Sequence, residues 1–261
     1  MSLKQELEQL SGEVRDALME CGKTAVYQAG EWLPDATSGF VGVRFIEDGE
    51  VSVFAVHHAK RVELSCCGKG EFLGVRSMFS PDSPPSIVWH AENEVTCLEF
   101  KQADVMRLMQ HPDGFALRQI LEQAARERDY GVLMALHPLF RTLPRDERKK
   151  LLEVAHPIAL LPNETLMQHK NENDMLYLIS RGRVQVSKDG CFLAQQEMGD
   201  VIGEISVLDE KATSTADVVA SGWCEVLTFP GSLIRNICEQ NSNFKRELGR
   251  LREVQGCSFS Q

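Results

Sequence analysis

Apolar and polar positions alternate with period two over Val51-Ser52-Val53-Phe54-Ala55-Val56 and again over Arg183-Val184-Gln185-Val186-Ser187. Successive side chains of a strand point to opposite faces, so this pattern predicts half-buried β-strands. Glycines and short polar groups such as Lys188-Asp189-Gly190 separate them as turns. Many short strands at close spacing imply an antiparallel barrel or jelly roll. The period then changes. Val105, Leu108 and Met109, followed by Leu117, Ile120, Leu121, Ala124 and Ala125, recur at three and four, one face of a helix. Pro112 and Gly114 divide this stretch into a short helix and a long one, and His137-Pro138 ends it. A third helix is expected from near Pro144, with Asp146 and Glu147 early and Lys149 and Lys150 late, as the helix dipole favours. One last helix is expected from about Ser232, a good N-cap, to about Val254. These apolar stripes read as ordinary packing.

The two strand-rich stretches are copies of one pattern. Gly70-Glu71-Phe72-Leu73-Gly74-Val75-Arg76-Ser77-Met78-Phe79 matches Gly199-Asp200-Val201-Ile202-Gly203-Glu204-Ile205-Ser206-Val207-Leu208 position by position. Upstream, Phe45-Ile46-Glu47-Asp48-Gly49-Glu50-Val51 parallels Leu178-Ile179-Ser180-Arg181-Gly182-Arg183-Val184, and Gly30-Glu31 parallels Asn163-Glu164. The interval from 30 to 49 equals that from 163 to 182, and the interval from Gly74 to Ala91 equals that from Gly203 to Ala220. Equal spacing on both sides of the shared motif argues for an internal repeat.

The fold class expected is therefore mainly β with helices: two antiparallel β-roll or jelly-roll domains joined by a helical connector. A short N-terminal helix leads into roll one (about 22–100), the connector (101–155), roll two (156–230) and a C-terminal helix. The domains divide as 1–135 and 136–261.

The chain has 261 residues, enough for two domains, with 43% hydrophobic and 25% charged residues, a globular composition. A formal net charge of −10 and one basic cluster, Arg145, Arg148, Lys149 and Lys150, argue against nucleic acid as a partner. None of the eight cysteines forms a C-x-x-C pair, and Met1 to Leu10 is polar, so a reduced, cytoplasmic protein is expected. The longest apolar run, Pro157 to Pro162, is far shorter than the roughly 20 residues of a membrane span, so no membrane partner is expected.

Leu139-Phe140 with Leu143, then Asn163-Glu164, then Leu176-Tyr177-Leu178-Ile179 with Gly182, Val184 and Val186, then Gly199-Asp200, Gly203-Glu204-Ile205 and Leu208, form a set. It resembles the cyclic-nucleotide-binding domain family, which includes regulatory subunits of the cyclic-AMP-dependent kinase and catabolite-activator-type sensors. The match is good from Leu139 to about Glu247 and weaker over roughly 25–110, where the repeat supports it. The resemblance implies a phosphate-binding cassette after Gly203: a glutamate that accepts from the ribose 2′-hydroxyl, and an arginine eleven places after the glycine that pairs with the phosphate. In roll two this carries over to Gly203, Glu204, Ile205, Ser206, Ser214 and Thr215 as ligand-binding residues. Glu204 is kept, but Ser214 stands where the arginine is expected. In roll one the matching residues are Gly74, Val75, Arg76, Pro85 and Ser86, a degenerate cassette with neither glutamate nor arginine. Losing a charge-assisted hydrogen bond to phosphate costs about 1.5–3 kcal/mol. Roll one is thus expected to bind no nucleotide, its interior filled by residues such as Phe79 and Trp89. Roll two is expected to be a weak or altered site for cyclic AMP or cyclic GMP. Lys211 is a substitute cation to consider, although a solvated loop lysine is the plainer reading.

No catalytic constellation is legible, so no enzyme and no catalytic or metal-ligating residue is expected. A cupin-like metalloenzyme needs two histidines one residue apart, and the adjacent His57 and His58 would face opposite sides of a strand. A catabolite-activator-like transcription factor needs a helix-turn-helix after the long helix, and a kinase-inhibiting subunit needs an arginine-rich segment before roll one, where residues 1–25 hold only Arg15. Two readings remain. One is a degenerate regulatory scaffold acting on an unidentified protein partner, with a homodimer admitted. The other is a sensor in which roll two binds cyclic AMP or GMP and switches the helices.

Overall fold

The computed structural model describes residues 7–8, 10–35, 38–57, 60–79, 86–208 and 213–258. The positions of Pro85 and Lys211, the side chains of His57 and Ser86, and all of His58 lie outside what is described. The chain divides into two compact units, Met1–Val132 and Leu133–Gln261.

In the first unit α1 (Gly12–Cys21) precedes β1 (Lys23–Tyr27), β2 (Trp32–Leu33), β3 (Gly42–Asp48), β4 (Val51–His57), β5 (Lys60–Cys67) and β6 (Phe72–Leu73). The cassette helix α2 (Val75–Phe79), β7 (Ser86–Ala91), β8 (Val95–Lys101), α3 (Gln102–Met109) and α4 (Phe115–Leu136) follow. The strands form two antiparallel sheets in the orders β1-β8-β3-β6 and β2-β7-β4-β5. The outer face of the first sheet, with Val43, Phe72 and Phe100, packs on Val14 and Leu18 of α1, Val105 and Leu108 of α3, and Leu117 and Leu121 of α4. Pro112 and Gly114 separate α3 from α4 as the sequence predicts.

The second unit repeats the plan. A 3-10 turn (Phe140–Thr142) and α5 (Arg145–Glu153) precede β9 (His156–Leu160), β10 (Thr165–Met167), β11 (Met175–Arg181), β12 (Arg183–Lys188), β13 (Cys191–Glu197) and β14 (Val201–Ile202). Then come the cassette helix α6 (Glu204–Leu208), β15 (Asp217–Ala220), β16 (Cys224–Pro230), α7 (Gly231–Gln240) and α8 (Ser242–Ser258). The sheets run β9-β16-β11-β14 and β10-β15-β12-β13, the same order as in the first unit. The breaks in register also recur: between Ile46 and Asp48 and between Ile179 and Arg181, and again between Val53 and Phe54 and between Val186 and Ser187. The fold is two antiparallel β-rolls with helices.

The cassette of each roll starts at a glycine that no other residue can replace without strain. Gly74 (φ +80°) and Gly203 (φ +89°) are left-handed, and an added Cβ would collide with the carbonyl oxygens of Gly42 and Met175 respectively. Between β12 and β13, Asp189 (φ 50°) and Gly190 (φ 80°) make the tight hairpin that Asp-Gly signals.

The C-terminal helix differs from expectation. It is two helices, because Asn241 leaves the helical conformation (φ −129°, ψ 98°). Its side-chain oxygen accepts from the Phe244 amide at 3.0 Å and caps α8. Pro230, not Ser232, occupies the N-cap of α7. The break lets Phe244 reach Phe140, ring centroids 6.2 Å apart, while Phe140 stacks at 5.3 Å on Phe229 of β16.

Candidate ligand site

The interior of roll two is an apolar box. Tyr177 and Ile179 from one sheet face Val184, Val186 and Val218 from the other, all buried. Strand alternation puts these residues inward while their neighbours turn to the helices. Where the box meets the cassette there is a small cavity of about 30 Å3. Met167, Val186, Ile202, Ala216 and Val218 supply its apolar wall, and Gln196, Glu204, Ser206 and Thr215 its polar groups, with Gly203 and Ile205 completing it. That is room for about two water molecules, well below the roughly 300–1,000 Å3 of ligand pockets, so a ligand here has to displace part of the wall.

Five of the six residues expected to bind ligand in roll two therefore line one cavity: Gly203, Glu204, Ile205, Ser206 and Thr215. Ser214 does not. It is 2% exposed, its backbone pairs with Asn171 and Lys170, and its hydroxyl is buried with no hydrogen-bond partner.

Glu204 is the ionisable group of the cavity wall. It is only 2% exposed. Burial pushes its carboxyl up to about 7, against hydrogen bonds from its own amide and that of Gly203 and the field of Arg252 on α8. The cassette is pinned from behind by Arg235 of α7, whose Nη1 donates to Asp174 Oδ1 at 2.7 Å and to the Val207 carbonyl at 3.3 Å. Sequence reasoning did not single out this clasp. Its signal was available as an arginine one turn into the helix that follows the roll.

Roll one fills the corresponding place differently. Arg44 of β3 is the repeat partner of Tyr177 and faces Leu73, as Tyr177 faces Ile202. Its side chain is 1% exposed. Nε donates to Glu99 Oε1 at 2.6 Å, and Tyr27 donates to the same oxygen at 2.6 Å. The guanidinium carbon lies 3.8 Å from the Phe40 ring centroid and 5.7 Å from those of Tyr27 and Trp89. Burial and the bond to Glu99 hold the Tyr27 hydroxyl up to about 12. Trp89, partly buried, faces the Arg44 guanidinium, whereas Phe79 packs with the helix-facing core. Gly74 and Val75 sit at the head of α2, Val75 fully buried. Arg76 leaves the interior: its Nε lies 2.7 Å from Asp129 Oδ1 on α4, and beside it Arg128 Nη2 lies 3.3 Å from Glu71 Oε1. Ser86 opens β7. Among the described residues no group of three His, Cys, Asp or Glu side chains is placed to hold a metal ion.

A jelly-roll module with a glycine-bounded cassette over a small cavity defines the class. Residues 157–241, the strands and cassette of roll two, match the cyclic nucleotide-binding domain family. Over 213 residues, 80% of this chain, the sequence is 24% identical to a cAMP-dependent protein kinase regulatory subunit of Aspergillus niger. The chain spans about half (48%) of that relative's length. Among solved structures it is similar to cAMP-bound PfPKA-R, with 15% identity, a TM-score of 0.46, and coverage of 97% of this chain and 85% of that one. It is also similar to the regulatory subunit of a cAMP-independent protein kinase A from Trypanosoma brucei, with 16% identity, a TM-score of 0.43, and coverage of 95% and 87%.

Proposed function

We propose that this chain is a non-catalytic regulatory protein acting through contacts with another protein, in which roll two is a weak or altered cyclic-nucleotide-type site and roll one takes no nucleotide. One observation carries the reading. The roll-two cavity presents Glu204, which can accept from a ribose hydroxyl, while position 214 offers a buried serine and no charge for a phosphate. In roll one, Val75 stands at the position of Glu204 and packs in the helix-facing core, and the Arg44–Glu99 pair occupies the positions of Tyr177 and Thr228. The regulatory-subunit relative supports a protein partner, and the acidic, cysteine-reduced composition supports a cytoplasmic setting apart from nucleic acid and membrane. No helix among the described residues is long and apolar enough to cross a membrane.

A second reading, a working sensor of cyclic AMP or GMP, is favoured by the retention of Glu204 on the cavity wall. Hydrogen exchange of the full chain with and without excess cyclic AMP or cyclic GMP tests the proposal. Protection confined to Gly203–Ser206 and the Thr215–Val218 stretch supports it. Protection of Gly74–Phe79 by the nucleotide overturns the reading of roll one, and strong, saturable protection at low micromolar ligand favours the sensor.

A further inference from the structure

The two rolls carry the same turns at one end and opposite chemistry on them. The turn after the first strand is built alike in both: the Gln28 amide donates to Glu31 Oε2 at 2.7 Å, and the Leu161 amide to Glu164 Oε2 at 2.6 Å. The β3–β4 turn rests on the β7–β8 turn, since a Cβ on Gly49 would meet the Glu94 carbonyl. The β11–β12 turn rests on the β15–β16 turn in the same way, through Gly182 and the Trp223 carbonyl. In roll one these turns border an open concavity of about 360 Å3, lined by Asp48, Glu50, Lys69, Asn93 and Glu94. Gln28 Nε2 donates to Glu94 Oε2 at 3.2 Å beside it. In roll two the repeat puts Arg181 at the position of Asp48, Arg183 at that of Glu50, Met198 at that of Lys69, Trp223 at that of Glu94 and Leu161 at that of Gln28. All five are exposed, Leu161 and Met198 each by 63% and Trp223 by 49%. Glu197 stands at the position of Gly68.

Exposed apolar side chains gathered with arginines mark a protein-docking surface, and tryptophan and arginine are the residues that most often anchor one. In a chain of net charge −10, two arginines set beside a tryptophan call for an acidic partner. The matching end of roll one has that chemistry, in a concave surface. We propose that the chain self-associates head to tail, the Arg183–Trp223 end of roll two in one copy seating in the Asp48–Glu50–Glu94 concavity of roll one in a second copy. Trp223 is the apolar anchor, Leu161 and Met198 flank it, and Arg181 and Arg183 meet the carboxylates. Such a contact is heterologous, so every pair leaves one end of each kind open, and growth continues unless the copies close as a ring. None of these residues lines the roll-two cavity, and the association needs no ligand there.

Sedimentation velocity of the full chain over a wide concentration range, at low and at raised salt, tests it. The expected result is a weight-average sedimentation coefficient that rises with concentration and falls back as salt is added. Trp223→Ala breaks the roll-two end and Glu94→Lys the roll-one end. Each should weaken association about tenfold or more with an unchanged thermal transition, and Arg183→Glu replaces Trp223→Ala should that variant fail to fold. The decisive sample is the equimolar mixture of the two variants. One keeps an intact roll-one end and the other an intact roll-two end, so the mixture should form a dimer and nothing larger. A wild type that stays monomeric at every concentration overturns the proposal, as does association that neither variant weakens. A mixture that stays monomeric or grows beyond the dimer overturns it too. Loss of association in Trp223→Ala with Glu94→Lys behaving as wild type would also overturn it, and would set the roll-two end against itself.

Discussion

Arg44 Nε lies 2.6 Å from Glu99 Oε1 inside roll one, where the repeat puts the uncharged pair Tyr177 and Thr228 in roll two. The two partners are unequally buried, with side-chain exposures of 1% and 20%. That asymmetry sets the order of mutational costs. Removing the carboxylate strands a buried guanidinium, and Glu99→Ala should cost about 3–5 kcal/mol of stability. Removing the cation leaves a carboxylate that reaches water and keeps the Tyr27 hydroxyl, so Arg44→Met should cost less than half as much. Urea denaturation of both variants decides, and a larger loss for Arg44→Met would contradict the order.

The Arg76–Asp129 contact joins the roll-one cassette to α4 at 2.7 Å, with both side chains partly buried (18% and 28% exposed). Partial burial raises such a pair above the near-zero value of exposed ones. A double-mutant cycle with Arg76→Ala and Asp129→Ala should give a coupling of about 1 kcal/mol that shrinks as salt is raised. A coupling of zero at low salt would show that the Arg76–Asp129 pair does not help hold the cassette to α4.

The raised Glu204 carboxyl gives stability a pH signature. Its ordinary value is 4.5 and its folded value about 7, so the native state binds the extra proton between them. Stability from this group is full below about 4.5 and is lost as the pH rises through about 7. In difference against Glu204→Gln, the wild type should lose up to about 3 kcal/mol between roughly pH 5 and pH 8, other groups cancelling. Denaturant midpoints at the two pH values measure it, and a pH-independent difference would mean the carboxyl is solvated.

Gly203 and Gly199 are both left-handed, at φ +89° and +99°, but only Gly203 has a carbonyl, that of Met175, where a Cβ would go. Gly199→Ala should cost backbone strain alone, about 1–3 kcal/mol, and Gly203→Ala distinctly more. Thermal unfolding of the pair checks this, and equal losses would contradict the close approach.

The strand plan was legible because alternation, turn glycines and equal intervals recur in both halves. The pairing of Gly74 with Gly203 anticipated the matching cassettes, and even Arg44 could have been read as inward-facing from its register with Tyr177. The two C-terminal helices were not legible as such. Ser232 and Asn241 are both good caps by composition, and the choice of Asn241 follows from Phe244 packing on Phe140, a contact 104 positions apart in sequence. The role of Ser214 was also beyond sequence. Spacing puts it at the arginine position, but only the fold shows its hydroxyl turned away from the cavity that Thr215 lines.

The central claim is that roll two keeps a small cavity whose described wall carries no cation to hold a cyclic phosphate. Calorimetry of cyclic AMP binding to the wild type and to Thr215→Arg, which puts a guanidinium on the cavity wall, tests it most directly. The account predicts weak or undetectable binding by the wild type and a gain of about tenfold to hundredfold on adding the guanidinium, with Glu204→Ala removing it again. Tight binding by the wild type that Thr215→Arg leaves unchanged would contradict the account.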